Sequence, residues 1–148
     1  MKSLFVATSY SGKVNYQTGE VLPEFRRPME EILEALRVVA KLSVFCAAEH
    51  EGWKFSNQPP EVGVKKDLEE IEKADALLSL VDGVSEGSAY ERGFATRPDK
   101  TVIIAHESET KLDYFSQGLV KLGVVKHVVY ETPNGLAVAV SHIVESTE

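Results

Sequence analysis

The segment richest in chemistry is Asp82-Gly83-Val84-Ser85-Glu86-Gly87-Ser88-Ala89-Tyr90-Glu91-Arg92-Gly93-Phe94-Ala95. An apolar run gives way here to a glycine-containing loop and then at once to a helix. Gly87 would let backbone approach a ligand closely, and Ser85 and Ser88 offer hydroxyls. The helix start offers free N–H groups and the positive end of a dipole. Glu91 is expected in the first turn, facing the site. The same Ser88-x-x-Glu91 spacing also reads as a capping box, in which serine caps the helix and glutamate bonds back to it. A second carboxylate bears on the choice. Between residues 61 and 73, Val64, Leu68 and Ile71 form an inward stripe, with Lys65, Lys66, Glu69, Glu70, Glu72 and Lys73 outside. Asp67 borders that stripe, so its carboxylate should be partly buried, which is costly unless it is paired or functional. The plainer reading is a helix-edge aspartate that reaches water. Two carboxylates at one pocket suit glycoside chemistry. One attacks the anomeric carbon or stabilises its cationic character; the other handles the proton or orients a sugar hydroxyl.

The elements that must position these groups alternate strand and helix. Apolar runs at Leu4–Thr8, Leu42–Ala47, Ala76–Val81, Thr101–Ala105 and Val124–Tyr130 read as strands. Ala76–Val81 is apolar enough for a strand covered on both faces. Helical spacing appears from Pro28, taken as the first helical position, through Met29, Ile32, Leu33, Leu36 and Val39. Further helices are expected at Glu61–Lys73, Gly87–Thr96, Lys111–Leu122 and Gly135–Val144. This order predicts one α/β domain over residues 1–148: a doubly wound, five-stranded parallel sheet of flavodoxin or Rossmann-like type, helices on both faces. Ligands in such sheets bind beyond the carboxyl ends of the strands, here the loops after Thr8, Ala47, Val81 and Ala105.

The 148 residues suffice for a real core, with 43% hydrophobic and 26% charged. A net charge of −7 with no Lys/Arg cluster argues against long nucleic acid as a partner. One small phosphate stays open, because backbone amides can hold it. Cys46 is the only cysteine, in an apolar run that reads as a buried strand. It fits a reducing compartment and a core role rather than a nucleophile. With no apolar run of membrane-spanning length, the expected address is the cytoplasm, and no membrane partner is expected. His50, His106, His127 and His142 lack metal spacing, so neither metal nor cofactor is expected; His106 reads as a surface or capping residue. Trp53, Phe55, Tyr10 and Tyr16 could stack on a base, though loop aromatics often only cover a core edge. The Lys65/Lys66 and Glu69/Glu70 runs read as a solvated face.

Lys73 to Asp82, Ser85 to Ala95 and Lys100 to Ile104, with Lys66-Asp67-Leu68 upstream, resemble the nucleoside 2-deoxyribosyltransferase family, which includes 2'-deoxynucleoside 5'-monophosphate N-hydrolases. The resemblance implies that Glu91 is the nucleophile that forms a glycosyl-enzyme intermediate, resolved by a base or by water. It implies that Asp67 supports departure and reprotonation of the base. Ser85 matches the position that contacts the sugar's 5' side, where an acid marks enzymes for free nucleosides and a serine tolerates phosphate. Ser9, Ser11 and Gly12 match the first-strand loop that closes over the sugar and phosphate, and Tyr10, Gly87 and Ser88 are further candidate substrate-binding residues. The family also implies a homodimer or larger homo-oligomer in which a neighbouring subunit lends a polar residue; near Gly118 the candidates are Asp113 and Ser116. Tyr114-Phe115 on the same helix suits such an interface. The chain departs from the pattern at Phe5, where a tyrosine touching the glutamate is common and for which Tyr10 is the candidate substitute. It departs again at Arg92, where an apolar residue is usual.

The expected substrate is a small nucleoside or nucleotide. The first expectation is cleavage of the N-glycosidic bond of a nucleoside, the sugar passing to a base or water. Next comes hydrolysis of a nucleoside 5'-monophosphate by the same carboxylates. A nucleotide-binding sensor that has lost catalysis is the reading from another class, favoured by Phe5 and Arg92. The Pro-Gly-Gly-x-Gly run of other phosphoribohydrolases is absent.

Overall fold

A computed structural model describes residues 1–55, 57–83 and 85–147. Five strands, β1 (Ser3–Thr8), β2 (Ser43–Cys46), β3 (Ala76–Leu80), β4 (Thr101–Glu107) and β5 (Lys126–Tyr130), form one parallel sheet in the order β2-β1-β3-β4-β5. The expected doubly wound α/β fold is what forms. β1 and β3 are neighbours at its centre, with Leu4 opposite Ala76 and Thr8 opposite Leu80. The chain winds outward from them in both directions, so the gap above their carboxyl ends is the topological switch point. Every residue of β3 is buried, as its largely apolar run requires, with the Ser79 hydroxyl the one polar group in it.

Helices α1 (Pro23–Val38) and α6 (Pro133–Glu145) cover one face. They close over a core that includes Leu4, Val6, Leu33, Leu36, Leu78, Ile103, Leu136 and Val140. Helices α3 (Pro60–Lys73), α4 (Glu86–Ala95) and α5 (Tyr114–Lys121) cover the other, over Phe5, Ala7, Ile71, Leu77, Val102 and Ile104. A short helix α2 (Ala47–His50) follows β2 inside the expected loop region.

Three expectations are corrected. Helix α1 begins at Pro23, more than a turn before Pro28, which lies inside it. Proline suits the first helical position, and near a free helix start Pro28 forfeits only one backbone bond, while the added turn seats Phe25 against the core. Val64 is 56% exposed, not inward. It lies in the first half of α3, whereas Ile71, two turns further along, is fully buried. Val39, at the end of α1, is likewise partly exposed. No helix among the described residues is long and apolar enough to cross a membrane.

Candidate active site

Helix α4 starts from the loop after β3, at the switch point. Ser85, not Ser88, caps it: the Ser85 Oγ accepts from the Ser88 N–H at 3.2 Å. Glu91 is therefore the sixth helical residue, in the second turn, and not the partner in a capping box. That removes the structural explanation for its carboxylate. Gly87 is open: a Cβ there would meet only Ser85 Oγ at 3.9 Å, so nothing in the chain itself demands a glycine. Ser88 is buried, and its Oγ has no hydrogen-bond partner among the described residues. An orphaned buried hydroxyl costs about 1–3 kcal/mol.

Glu91 and Asp67 face each other electrostatically across the α3–α4 contact. Burial raises the Asp67 carboxyl to about 6, with a smaller push from the charge of Glu51. Burial, then the charge on Asp67, raises Glu91 to about 8. Asp67 ionises first, while Glu91 is still neutral; Glu91 then has to ionise beside it. Between the two values the pair holds one proton, as coupled carboxyls do.

Tyr10 stands on the β1 side. Its hydroxyl lies 3.6 Å from Cys46 Sγ, and its ring packs edge-on to Phe55 at 4.7 Å. Burial, the Cys46 contact and, more weakly, the charge of Glu91 raise its phenol well above the ordinary value, so it stays protonated. Phe5, on β1, is fully buried and stacked on Phe45 at 5.6 Å. It has no polar group to offer, so Tyr10 is the nearby phenol that senses the glutamate. Ser9 is buried at the end of β1, and Ser11 and Gly12 are exposed at the tip of the loop that follows. The turn there is closed by the Lys13 N–H donating to the Tyr10 carbonyl at 3.0 Å; Gly12 has φ +73°, which favours glycine. The Lys13 ammonium pairs with Asp82, tying the loop after β1 to the loop after β3.

Asp113 and Ser116 form a local unit. Asp113 caps α5, accepting from Ser116 N at 2.8 Å and from Ser116 Oγ at 2.7 Å, and Ser116 is fully buried. These bonds, and then Arg92, hold the Asp113 carboxyl below its usual range. Arg92 turns to the same side, donating to Ser79 Oγ at 3.3 Å. Within one chain, then, the structure brings together Glu91, Asp67 and Tyr10, with Ser85, Gly87 and Ser88 at the start of the same helix as Glu91. Asp113 and Ser116 gather around Arg92 instead.

Sequence reasoning missed Glu51, which lies in an irregular stretch where no periodicity marks it. It also missed a histidine pair. His106 is buried, its Nδ1 2.8 Å from the Glu107 carbonyl and its Nε2 2.8 Å from His127 Nε2. Because a carbonyl only accepts, His106 carries its proton on Nδ1 and accepts from His127 at Nε2. The reading of His106 as a surface residue is corrected: the β4–β5 register carries the two rings together. Trp53 is a core residue, whereas Tyr16 is exposed.

Solved structures share this fold. BlsM matches with a TM-score of 0.72 at 26% identity, over 97% of this chain and 92% of its own. The CMP N-glycosidase BcmB of Clostridium botulinum matches at 0.65 and 17% identity, over 96% of this chain and 99% of its own. A 2-deoxyribosyltransferase from Bacillus psychrosaccharolyticus matches at 0.59 and 16%, over 91% and 90%. No family model matches the chain, and no curated protein matches it in sequence. The fold is that of the nucleoside 2-deoxyribosyltransferase family, and the resemblance read from the sequence holds at that level.

Proposed function

We propose that the chain cleaves the N-glycosidic bond of a nucleoside, with Glu91 as nucleophile and Asp67 as proton donor. The carrying observation is the pair of raised carboxyls at the switch point, sharing one proton near neutral pH. Asp67 ionises first, so most of the one-proton population carries its proton on Glu91; the productive form is the minor one, with the proton on Asp67 and the charge on Glu91. A Glu91 oxygen attacks the anomeric carbon as the bond to the base breaks. The bonding electrons go to the base nitrogen, which takes the Asp67 proton. A second base or a water then attacks the same carbon, displaces Glu91 and returns a proton to Asp67. Tyr10, protonated nearby, can donate to the Glu91 carboxylate and favour its charged form. The CMP N-glycosidase and the deoxyribosyltransferase that share the fold are consistent with this reading.

A 5'-monophosphate is the second reading, favoured by the orphaned Ser88 hydroxyl beside the helix start. Against it, Lys13 is already neutralised by Asp82, and Glu86 stands in the first turn of α4. The free nucleoside is therefore preferred. Incubation with matched nucleosides and 5'-monophosphates, with and without an acceptor base, tests both by chromatography. A preference of tenfold or more for the monophosphate, about 1.4 kcal/mol in transition-state binding, reverses the choice. Absence of base release from every substrate rejects both.

We further propose that the chain works as a homo-oligomer through α5. Its Tyr114 and Phe115 are 92% and 71% exposed, a pair that suits burial against a second copy.

A further inference from the structure

Among the described residues no cation pairs with Asp67. Two carboxylates bear on it instead: Glu91 from α4, and Glu51 from the stretch between α2 and α3. Glu51 acts on Asp67, whereas Glu91 is raised by burial and by Asp67. Glu51 is held along its whole length. Its N–H donates to the Ala47 carbonyl at 3.0 Å, its carbonyl accepts from Asn57 Nδ2 at 2.9 Å, and its Oε1 accepts from Gln58 Nε2. The tip of the carboxylate rests on the first turn of α3, where a Cβ added to Gly63 would stand 2.9 Å from Oε1. A glycine inside a helix costs about 1 kcal/mol against alanine, and here its missing side chain is what leaves the carboxylate its seat. Gly63 and Asp67 are four residues apart, so they share one face of α3, a turn from each other. A helical side chain tilts toward the start of its helix, so Asp67 leans toward the turn on which Glu51 rests.

We propose that Glu51 is a positioning residue for the shared proton: seated over Gly63, its charge disfavours an anion at Asp67 and so draws the proton from Glu91 to Asp67. The fraction of the pair that is ready to react grows accordingly. The effect on turnover rests on the glycosidic reading; the effect on Asp67 does not.

Glu51→Gln tests it, because the amide keeps the size of the side chain and its carbonyl still accepts from Gln58. In carbon-13 spectra of the side-chain carboxyls, Asp67 should titrate at lower pH in the variant than in the wild type. Turnover should fall about threefold at unchanged KM, the scale of two charges a helical turn apart in a water-like dielectric. The acid limb of kcat/KM should move to lower pH while the basic limb stays. Gly63→Ala, which fills the seat with a good helix former, should move the Asp67 titration the same way without loss of stability. A merely structural role for Glu51 would lower activity without moving the titration or the acid limb. An Asp67 titration that neither variant moves overturns the proposal. So does a shifted titration with kcat and the acid limb unchanged in an enzyme that releases base. A wild type that releases no base rejects the glycosidic reading, and the carboxyl titration then still decides whether Glu51 governs Asp67.

Discussion

Glu91→Gln keeps the size of the side chain and removes its titration, so it isolates the energetic consequence of burying this carboxyl. In the wild type the group rises from its ordinary value of 4.5 to about 8, chiefly through burial and then through the charge on Asp67. The folded chain therefore holds this proton more tightly than the unfolded chain. The stability it contributes is fully present below the unfolded value and is lost as pH rises through the folded one. At about 1.4 kcal/mol per pH unit, the loss between about pH 5 and pH 9 is on the order of 4–5 kcal/mol. That is a large share of the roughly 5–15 kcal/mol that holds a typical domain together. Urea unfolding across this range, read by the fluorescence of Trp53, the only tryptophan and a buried one, measures it. The wild type should lose stability steadily as pH rises. Glu91→Gln should show a flatter profile and exceed the wild type at about pH 9 by roughly 2 kcal/mol or more. Parallel profiles would mean that Glu91 is not a desolvated carboxyl, and the shared-proton mechanism would fall with it.

Other outcomes follow from the same geometry. Asp67→Asn should lower kcat more than it raises KM, because the proton is needed as the base departs; unchanged kcat with a raised KM would move Asp67 to a binding role. In the wild type, kcat/KM should be bell-shaped with limbs near 6 and 8; a flat profile between those limits and well beyond them would refute the one-proton requirement. Ser85→Ala should cost about 1 kcal/mol of unfolding free energy through the lost cap; no change would show that the cap is not a net contributor. Light scattering should find a dimer or larger assembly that Phe115→Glu weakens, and a fully active wild-type monomer at micromolar concentration would exclude the α5 interface.

The parallel sheet was legible because its central strands, β1, β3 and β4, are buried on both faces and read as largely apolar runs, with Ser79 the one polar residue within Ala76–Leu80. Two prolines five residues apart blurred the start of α1: either suits a first turn, and only the packing of Phe25 decides between them. The cap was misplaced for a similar reason. Ser85 and Ser88 are both good caps by type, and the choice rests on where the chain leaves β3. Asp67 was legible from its place beside an apolar stripe, and its partial burial follows from it. Glu51 and the His106–His127 contact were not legible, because each arises from long-range placement that local periodicity does not encode. Arg92 was visible as an oddity, and its partners, Ser79 and Asp113, emerge only when β3, α4 and the start of α5 meet.

The most direct test of the central claim is mass spectrometry of enzyme quenched with acid during turnover of a nucleoside that it cleaves. The expected result is a sugar-sized mass increase on the peptide that contains Glu91, absent in Glu91→Ala, which should also lose base release while unfolding as cooperatively as the wild type. Steady base release by Glu91→Ala within a few-fold of the wild type, with no adduct on that peptide, would contradict it.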